Sequence, residues 1–144
     1  MTLPLFKSHY SIGKSILTLD APRENRDPKS PDSIFDIAQE NKLDKIILID
    51  DSFMGFLQAR KVAADLGIDL VFGLRFNVCA DVNNLEDKSL LKCSHKVIVF
   101  PRNSLGCAEL NKIYTTAQTK YSGWLDLNVL KEYWVESLLL LGVP

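Results

Sequence analysis

Residues 45–76 read KIILIDDSFMGFLQARKVAADLGIDLVFGLRF, and the fold class turns on this stretch. Lys45-Ile46-Ile47-Leu48-Ile49 is a continuous, largely β-branched apolar run, the mark of a strand buried on both faces. It ends in Asp50-Asp51-Ser52, where Ser52 can cap a helix from Phe53 to about Leu66. Phe56, Leu57, Val62, Ala63 and Leu66 fall roughly on one face of that helix, and Gly67 follows as its C-cap. Ile68 to Phe72 is a further strand, running out into Gly73-Leu74-Arg75-Phe76. Strand, helix and strand in close succession make a βαβ unit, so the expected class is α/β.

The flanks extend the alternation. Upstream, Leu3-Pro4-Leu5-Phe6 is a candidate first strand, and the Pro-rich, charged stretch from Ala21 to Pro31 is an exposed loop. Asp32 or Ser33 can cap a helix bearing Ile34, Phe35, Ile37 and Ala38 that ends near Asn41. Downstream, Lys96-Val97-Ile98-Val99-Phe100 is a strand after a polar stretch over residues 81–88. A helix over about Ser104 to Lys120 follows, with Leu110, Ile113 and Ala117 on its apolar face. Leu127 to Trp134 is helical, and Ser137 to Leu141 is a last apolar strand. This order predicts parallel βα units in a sheet that is open or barrel-like.

Composition bounds what such a domain can do. With 144 residues, 47% of them hydrophobic, the chain reads as one globular domain with no internal repeat. Its 17 Lys and Arg against 18 Asp and Glu leave a net charge of -1, which argues against holding nucleic acid by bulk charge. No apolar run reaches the ~18 residues a membrane span requires, and the N-terminus opens no signal peptide. Cys79, Cys93 and Cys107 form no Cys-x-x-Cys pair, and only His9 and His95 are available beside them. Free thiols in a reducing cytoplasm are therefore expected, rather than a disulfide framework or a structural zinc site. The apolar ending Leu138 to Pro144 resembles the middle of a fold, as if the domain were cut short at its C-terminus.

In parallel α/β folds the chemistry gathers at the carboxyl ends of strands. Those positions are Lys7-Ser8, Asp50-Asp51, Arg75 and Arg102-Asn103. Asp50 and Asp51 could hold Mg²⁺ as hard oxygen ligands, or one of them could pair with Lys7 or Arg75. Lys7, Arg75 and Arg102 on one rim could bind phosphate, or could simply be scattered surface charge. His9 reads as a surface or loop histidine and His95 as structural, and Cys107 has no nearby His to make it a catalytic thiol. No Gly-rich phosphate loop or nucleophile elbow is present.

Two resemblances bear on function. Residues 45–66 look like the opening of a response-regulator receiver, but the later strand KVIVFPRN ends without the carboxylate such a domain phosphorylates. More of the chain, about residues 3–142, resembles a PHP (polymerase and histidinol phosphatase) domain of the kind that opens bacterial DNA polymerase III alpha subunits. Tyr10-Ser11 resembles the end of that family's first motif, H-x-H-[ST]-x-Y-S, and ILIDDSFMG (residues 47–55) its second, A-L-T-D-H-G-N-M-x-G. ARKVAADLGIDLVFGLRF resembles the segment leading to G-x-E, and HKVIVFPRNSLGCAELNKI the H-x-V-L-L-A-k-N-x-x-G-y-x-N-L-x-k-L stretch. Leu127 to Gly142 is similar to the helix and strand that follow.

The resemblance implies a fold, namely parallel βα units forming part of a distorted β/α barrel. It also implies a site of two or three metal ions, yet the departures fall on the ligands. The first-motif histidines align with Leu5 and Lys7, the following Asp with Lys14, the second-motif His with Asp51 and the Glu of G-x-E with Arg75. Asp50 keeps the family Asp, so Asp50 and Asp51 are the residual metal candidates. Fixed positive charge at Lys7, Lys14 and Arg75 would repel a cation. The expectation is a degenerate domain without catalytic residues or cofactor. Its role is structural or docking, beside the remainder of a replicative polymerase or a proofreading exonuclease, with DNA contacted only indirectly. The parent protein would be a DNA-directed DNA polymerase of the cytoplasm. Two alternatives differ in class. One is a Mg-, Mn- or Zn-dependent phosphoesterase built on Asp50 and Asp51. The other is a stand-alone anion- or nucleotide-binding module using Lys7, Lys14, Arg75 and Arg102. An incomplete barrel would also leave edges open to self-association.

Overall fold

The unbroken apolar run that starts at Lys45 forms β2 (Lys45–Asp50), with Ile46, Leu48, Ile49 and Asp50 all buried. The structure, a computed structural model, describes residues 3–11, 15–24, 29–86 and 94–143. They cluster into two compact units, Met1–Gly73 and Leu74–Pro144.

In the first unit, β1 (Leu5–Phe6) pairs with β2 in parallel, Leu5 opposite Ile47 and Phe6 opposite Leu48. α1 (Ile34–Glu40) starts where Ser33 accepts from the Phe35 amide while Asp36 accepts from the Ser33 amide, a reciprocal capping box. It buries Ile34, Phe35 and Ala38 and stops at Asn41. α2 (Phe56–Leu66) begins three residues later than the sequence predicts: Gly55 is its N-cap and no side chain caps it. Ser52 instead accepts from the Met54 amide at 3.4 Å, a local turn ahead of the helix. Phe53, freed from the helix, stacks on Phe72 with ring centroids 6.0 Å apart, and Phe56 lies 4.8 Å from the same ring. Gly67 closes α2 in the left-handed conformation expected of a C-cap, at φ 67°. A surface ion pair, Lys45 to Asp69 at 3.0 Å, joins the starts of β2 and β3 (Asp69–Val78). The hydrogen bond that the Lys45 ammonium donates to Asp69 holds its pKa above the ordinary value.

In the second unit, the later half of β3 pairs antiparallel with β4 (His95–Pro101), Leu74 opposite Val99 through Val78 opposite His95. β3 is longer than predicted because Leu74-Arg75-Phe76-Asn77-Val78 continues the alternation, burying Leu74, Phe76 and Val78. After β4, Asn103 caps α3 (Ser104–Lys120) by accepting from the Gly106 amide at 3.0 Å. α3 buries Leu110, Ile113 and Ala117 as expected. The two-residue β5 (Trp124–Leu125) runs parallel to the end of β3. α4 (Leu127–Glu132) is capped by Asp126, which also accepts from the Val82 amide. β6 (Leu138–Val143) then pairs antiparallel with β4, Leu138 opposite Pro101.

The class is therefore α/β, but the uniformly parallel sheet is corrected: pairing is parallel for β1–β2 and β3–β5, antiparallel for β3–β4 and β4–β6. The reason lies in the connections. Residues 126–137 carry the chain back to the end of β4 from which α3 departed, and the Arg102 amide donates to the Ser137 carbonyl there at 2.8 Å. The next strand can only run back along β4. Among the described residues β6 pairs with β4 alone, so this edge of the sheet is open. No helix among them is long and apolar enough to cross a membrane.

The return of the chain beside β4 depends on close approach at Gly106. A Cβ there would run into the Ser137 carbonyl oxygen and lie 3.3 Å from the Pro101 Cα, both backbone atoms with little room to yield. Gly106→Ala is expected to lower stability by about 2 kcal/mol in urea unfolding; an unchanged midpoint would show that the contact is not tight. In the same unit, burial pushes the Cys79 thiol above its ordinary value of 9.0, with the Asp126 carboxylate adding to the shift. The folded chain thus favours the protonated thiol. That contribution to stability is fully present below pH 9.0 and declines as pH rises toward the folded value. In a Cys93→Ser/Cys107→Ser variant, disulfide-exchange labelling of Cys79 at pH 8 should be far slower in the native state than in urea.

Candidate functional site

The carboxyl ends of β1 and β2 meet at a buried carboxylate. Their parallel register puts Phe6 opposite Leu48, and two residues further on each chain Ser8 meets Asp50. Both side chains are fully buried. The Ser8 amide donates to Asp50 Oδ1 at 3.1 Å and the Ser8 hydroxyl to Oδ2 at 2.7 Å. The same Oγ accepts from the Tyr10 amide at 3.2 Å, so its single proton is committed to Asp50. A buried carboxylate without donors would be strongly destabilising, whereas hydrogen bonds to a charged group stabilise by about 1.5–3 kcal/mol each. Asp50 is thus satisfied by one residue acting through two atoms.

The next carboxylate is held in a similar way. The Ser11 hydroxyl donates to Asp51 Oδ2 at 3.0 Å, and the Ser11 amide donates to the Ser8 carbonyl at 3.0 Å. Ser11 is buried, while Asp51 is half-exposed. Residues 8–11 therefore form a tight turn whose two hydroxyls reach the two adjacent aspartates. Gly55 closes one side, where a Cβ would clash with Leu19 Cδ1 and Tyr10 Cδ2 at 2.6 and 2.8 Å. His9 points elsewhere: its ring is exposed, with Nδ1 3.2 Å from the Leu17 carbonyl and its face against Tyr10.

The predicted basic residues do not share one setting. Lys7 is half-buried just past β1, beside Ser8. Lys14 lies outside the described residues. In the second unit, Arg75 sits within β3 opposite Ile98, while Arg102 is exposed beyond the end of β4. Four residues separate Arg102 from Ile98, roughly 13 Å along an extended strand, so the two arginines do not stand side by side. A polar cleft of about 160 Å³ opens in the first unit at Thr18, Asp20, Arg23, Ser30, Ser33 and Asp36. Its groups serve local structure: Ser33 and Asp36 form the capping box, and Arg23 lies 4.0 Å from Asp20.

The donor chemistry around Asp50 does not fit the metal centre that the resemblance implies. Hydrogens of Ser8, not lone pairs, meet both carboxylate oxygens, and the motif's two histidine positions, Leu5 and Lys7, supply no imidazole. Among the described residues no three His, Cys, Asp or Glu side chains gather as a metal-ligating group. No protein-family model matches the chain, and no curated protein matches it either.

Removing the Ser8 hydroxyl leaves Oδ2 of Asp50 buried without its donor. Ser8→Ala is expected to lower stability by about 2 kcal/mol. Ser11→Ala, whose acceptor is half-exposed, should lose about half as much. Equal losses in urea unfolding would contradict the special status of the Asp50 contact.

Proposed function

We propose that this chain is a PHP-type α/β module in which hydrogen bonding has replaced metal binding. On this reading it serves as a structural or docking element of a cytoplasmic, DNA polymerase III alpha-like replicative protein. The observation that carries the reading is the Ser8–Asp50 contact. The [ST] position of the motif H-x-H-[ST]-x-Y-S falls on Ser8, and its final two residues on Tyr10 and Ser11. The residues that hold the turn together are thus the ones the motif retains, and those lost to Leu5 and Lys7 are its metal ligands. Asp50, the retained carboxylate, is turned to a structural purpose by Ser8.

The support is strongest in the first unit, where β1 and β2 run parallel and end at the two motifs. The distorted barrel belongs to the proposal in that narrower sense, since β4 and β6 run antiparallel. The module's contribution would be a rigid surface for the rest of a polymerase or for a proofreading exonuclease. Hydrolysis is not part of it: Lys7 stands at a histidine position of the motif, a fixed charge where a hydrolytic site needs a ligand for the bound ion that generates hydroxide.

The proposal is tested by restoring what the motif lacks. The wild-type chain is expected to show no thermal stabilisation by Zn²⁺ or Mn²⁺ and no turnover of p-nitrophenyl phosphate. A Leu5→His/Lys7→His/Asp51→His variant should gain stabilisation by Zn²⁺, because on the motif alignment it restores three imidazole ligands to the set that Asp50 belongs to. Zn²⁺ stabilisation of the wild type would overturn the metal-free reading. A folded variant that ignores Zn²⁺ would overturn the PHP alignment.

A further inference from the structure

The polar cleft of the first unit has its two walls fixed to each other by hydrogen bonds. One wall carries Thr18, Asp20 and Arg23, the other Ser30, Ser33 and Asp36. The Thr18 amide donates to the Asp32 carbonyl at 2.9 Å and the Ile34 amide to the Thr18 carbonyl at 3.0 Å. The Ser33 hydroxyl donates to the Asp20 carbonyl at 2.5 Å. These bonds, with the capping box, occupy main-chain atoms, Ser33 and one oxygen of Asp36. Among the described residues the hydroxyls of Thr18 and Ser30 have no hydrogen-bond partner. Asp20 and Arg23 stand 4.0 Å apart, the outer limit of an ion pair, with side chains 49% and 67% exposed. Gln58 reaches Asp20 only at 3.5 Å. So loose a surface pair contributes little, and both charges keep most of their capacity for another partner.

We propose that this cleft binds a small zwitterionic amino acid, its ammonium group on Asp20 and its carboxylate on Arg23. This goes beyond the role proposed above and does not depend on it. Size and charge select the ligand. A cavity of about 160 Å³ lies below the roughly 300–1,000 Å³ of pockets that enclose drug-sized ligands, which leaves room for a small molecule and not for a nucleotide. The charged lining is one guanidinium, Arg23, against two carboxylates, Asp20 and Asp36. A simple cation would stand against Arg23, and a simple anion against both aspartates. A molecule that carries both charges meets an opposite partner at each end, in charge-assisted hydrogen bonds. The hydroxyls of Thr18 and Ser30 can donate to its carboxylate or accept from its ammonium group. Because the walls are already tied together, little of the protein has to be ordered on binding.

The test is an amide NMR titration of the 144-residue chain with glycine, L-alanine and L-serine into the millimolar range. Ethanolamine and glycerate serve as controls, each lacking one of the two charges of serine. At least one of the amino acids should shift the amides of Thr18, Asp20 and Arg23 saturably. Ethanolamine and glycerate should each need a concentration higher by roughly tenfold or more for the same shift. Arg23→Gln and Asp20→Asn should weaken amino-acid binding to a similar degree. Both side chains are largely exposed, and Ser33 bonds to the main-chain carbonyl of Asp20, so the walls are expected to hold in either variant. Circular dichroism checks that they fold; should they not, the comparison of serine with its two controls decides. Absence of a saturable shift with all three amino acids overturns the proposal. So does ethanolamine or glycerate binding as well as serine, or a folded Arg23→Gln that binds as wild type does.

Discussion

A carboxylate taken fully out of water must be met by donors, and in this protein Asp50 is met by Ser8. That requirement fixes much else in the first unit. Ser8 must stand two residues past the pairing of Phe6 with Leu48, so β1 has to lie parallel to β2 in this register. The turn over residues 8–11 must be tight enough for Tyr10 to donate to Ser8 Oγ and for Ser11 to reach Asp51. Gly55 has to lack a side chain where Leu19 and Tyr10 close over the start of α2. A one-residue slip of β1 would bring His9 or Lys7 opposite Asp50 and reverse every side chain on the strand.

The second unit is organised by backbone closeness instead of buried charge. Asn103 reaches the Ser137 hydroxyl at 3.0 Å while Arg102 donates to the Ser137 carbonyl, so one residue before β6 is gripped from both sides of the α3 cap. Asp126 does comparable work at the other end, accepting from the Val129 and Val82 amides and so tying α4 to the turn after β3. Both devices use a helix-capping residue for a second, long-range bond. They bring β6 back along β4 and leave its leucines on the open side.

Much of this was legible in the residues, for identifiable reasons. β2 declares itself by an unbroken apolar run and α3 by its helical period, and Gly67, Ser33 and Asn41 mark helix ends by known chemistry. The start of α2 is not legible because Ser52 has the right side chain for a cap but is engaged in its own turn, while Phe53 stacks on the ring of Phe72. The antiparallel return of β6 is not written in any local pattern; it depends on how far residues 126–137 travel, a tertiary matter. At the site, Asp50 and Asp51 stand out as adjacent carboxylates, whereas Ser8 is marked only by its place at a strand end and Ser11 only by the motif, neither as a partner for them. Serines are common in turns, and the signal that could have raised them is their place in the motif ending in Tyr10-Ser11. A shared basic rim requires parallel strands that all end on one side of the sheet. The second unit, with Arg75 inside an antiparallel pair and Arg102 beyond it, does not meet that requirement.

The central claim is that Asp50 serves the fold through Ser8. A double-mutant cycle on Ser8→Ala and Asp50→Asn, read by urea unfolding, measures the coupling directly. The account predicts a coupling of about 2 kcal/mol, each single substitution costing more than it does in the background of the other. Additive losses, with coupling near zero, would mean that Asp50 is held by something other than the Ser8 hydroxyl, and would contradict the account.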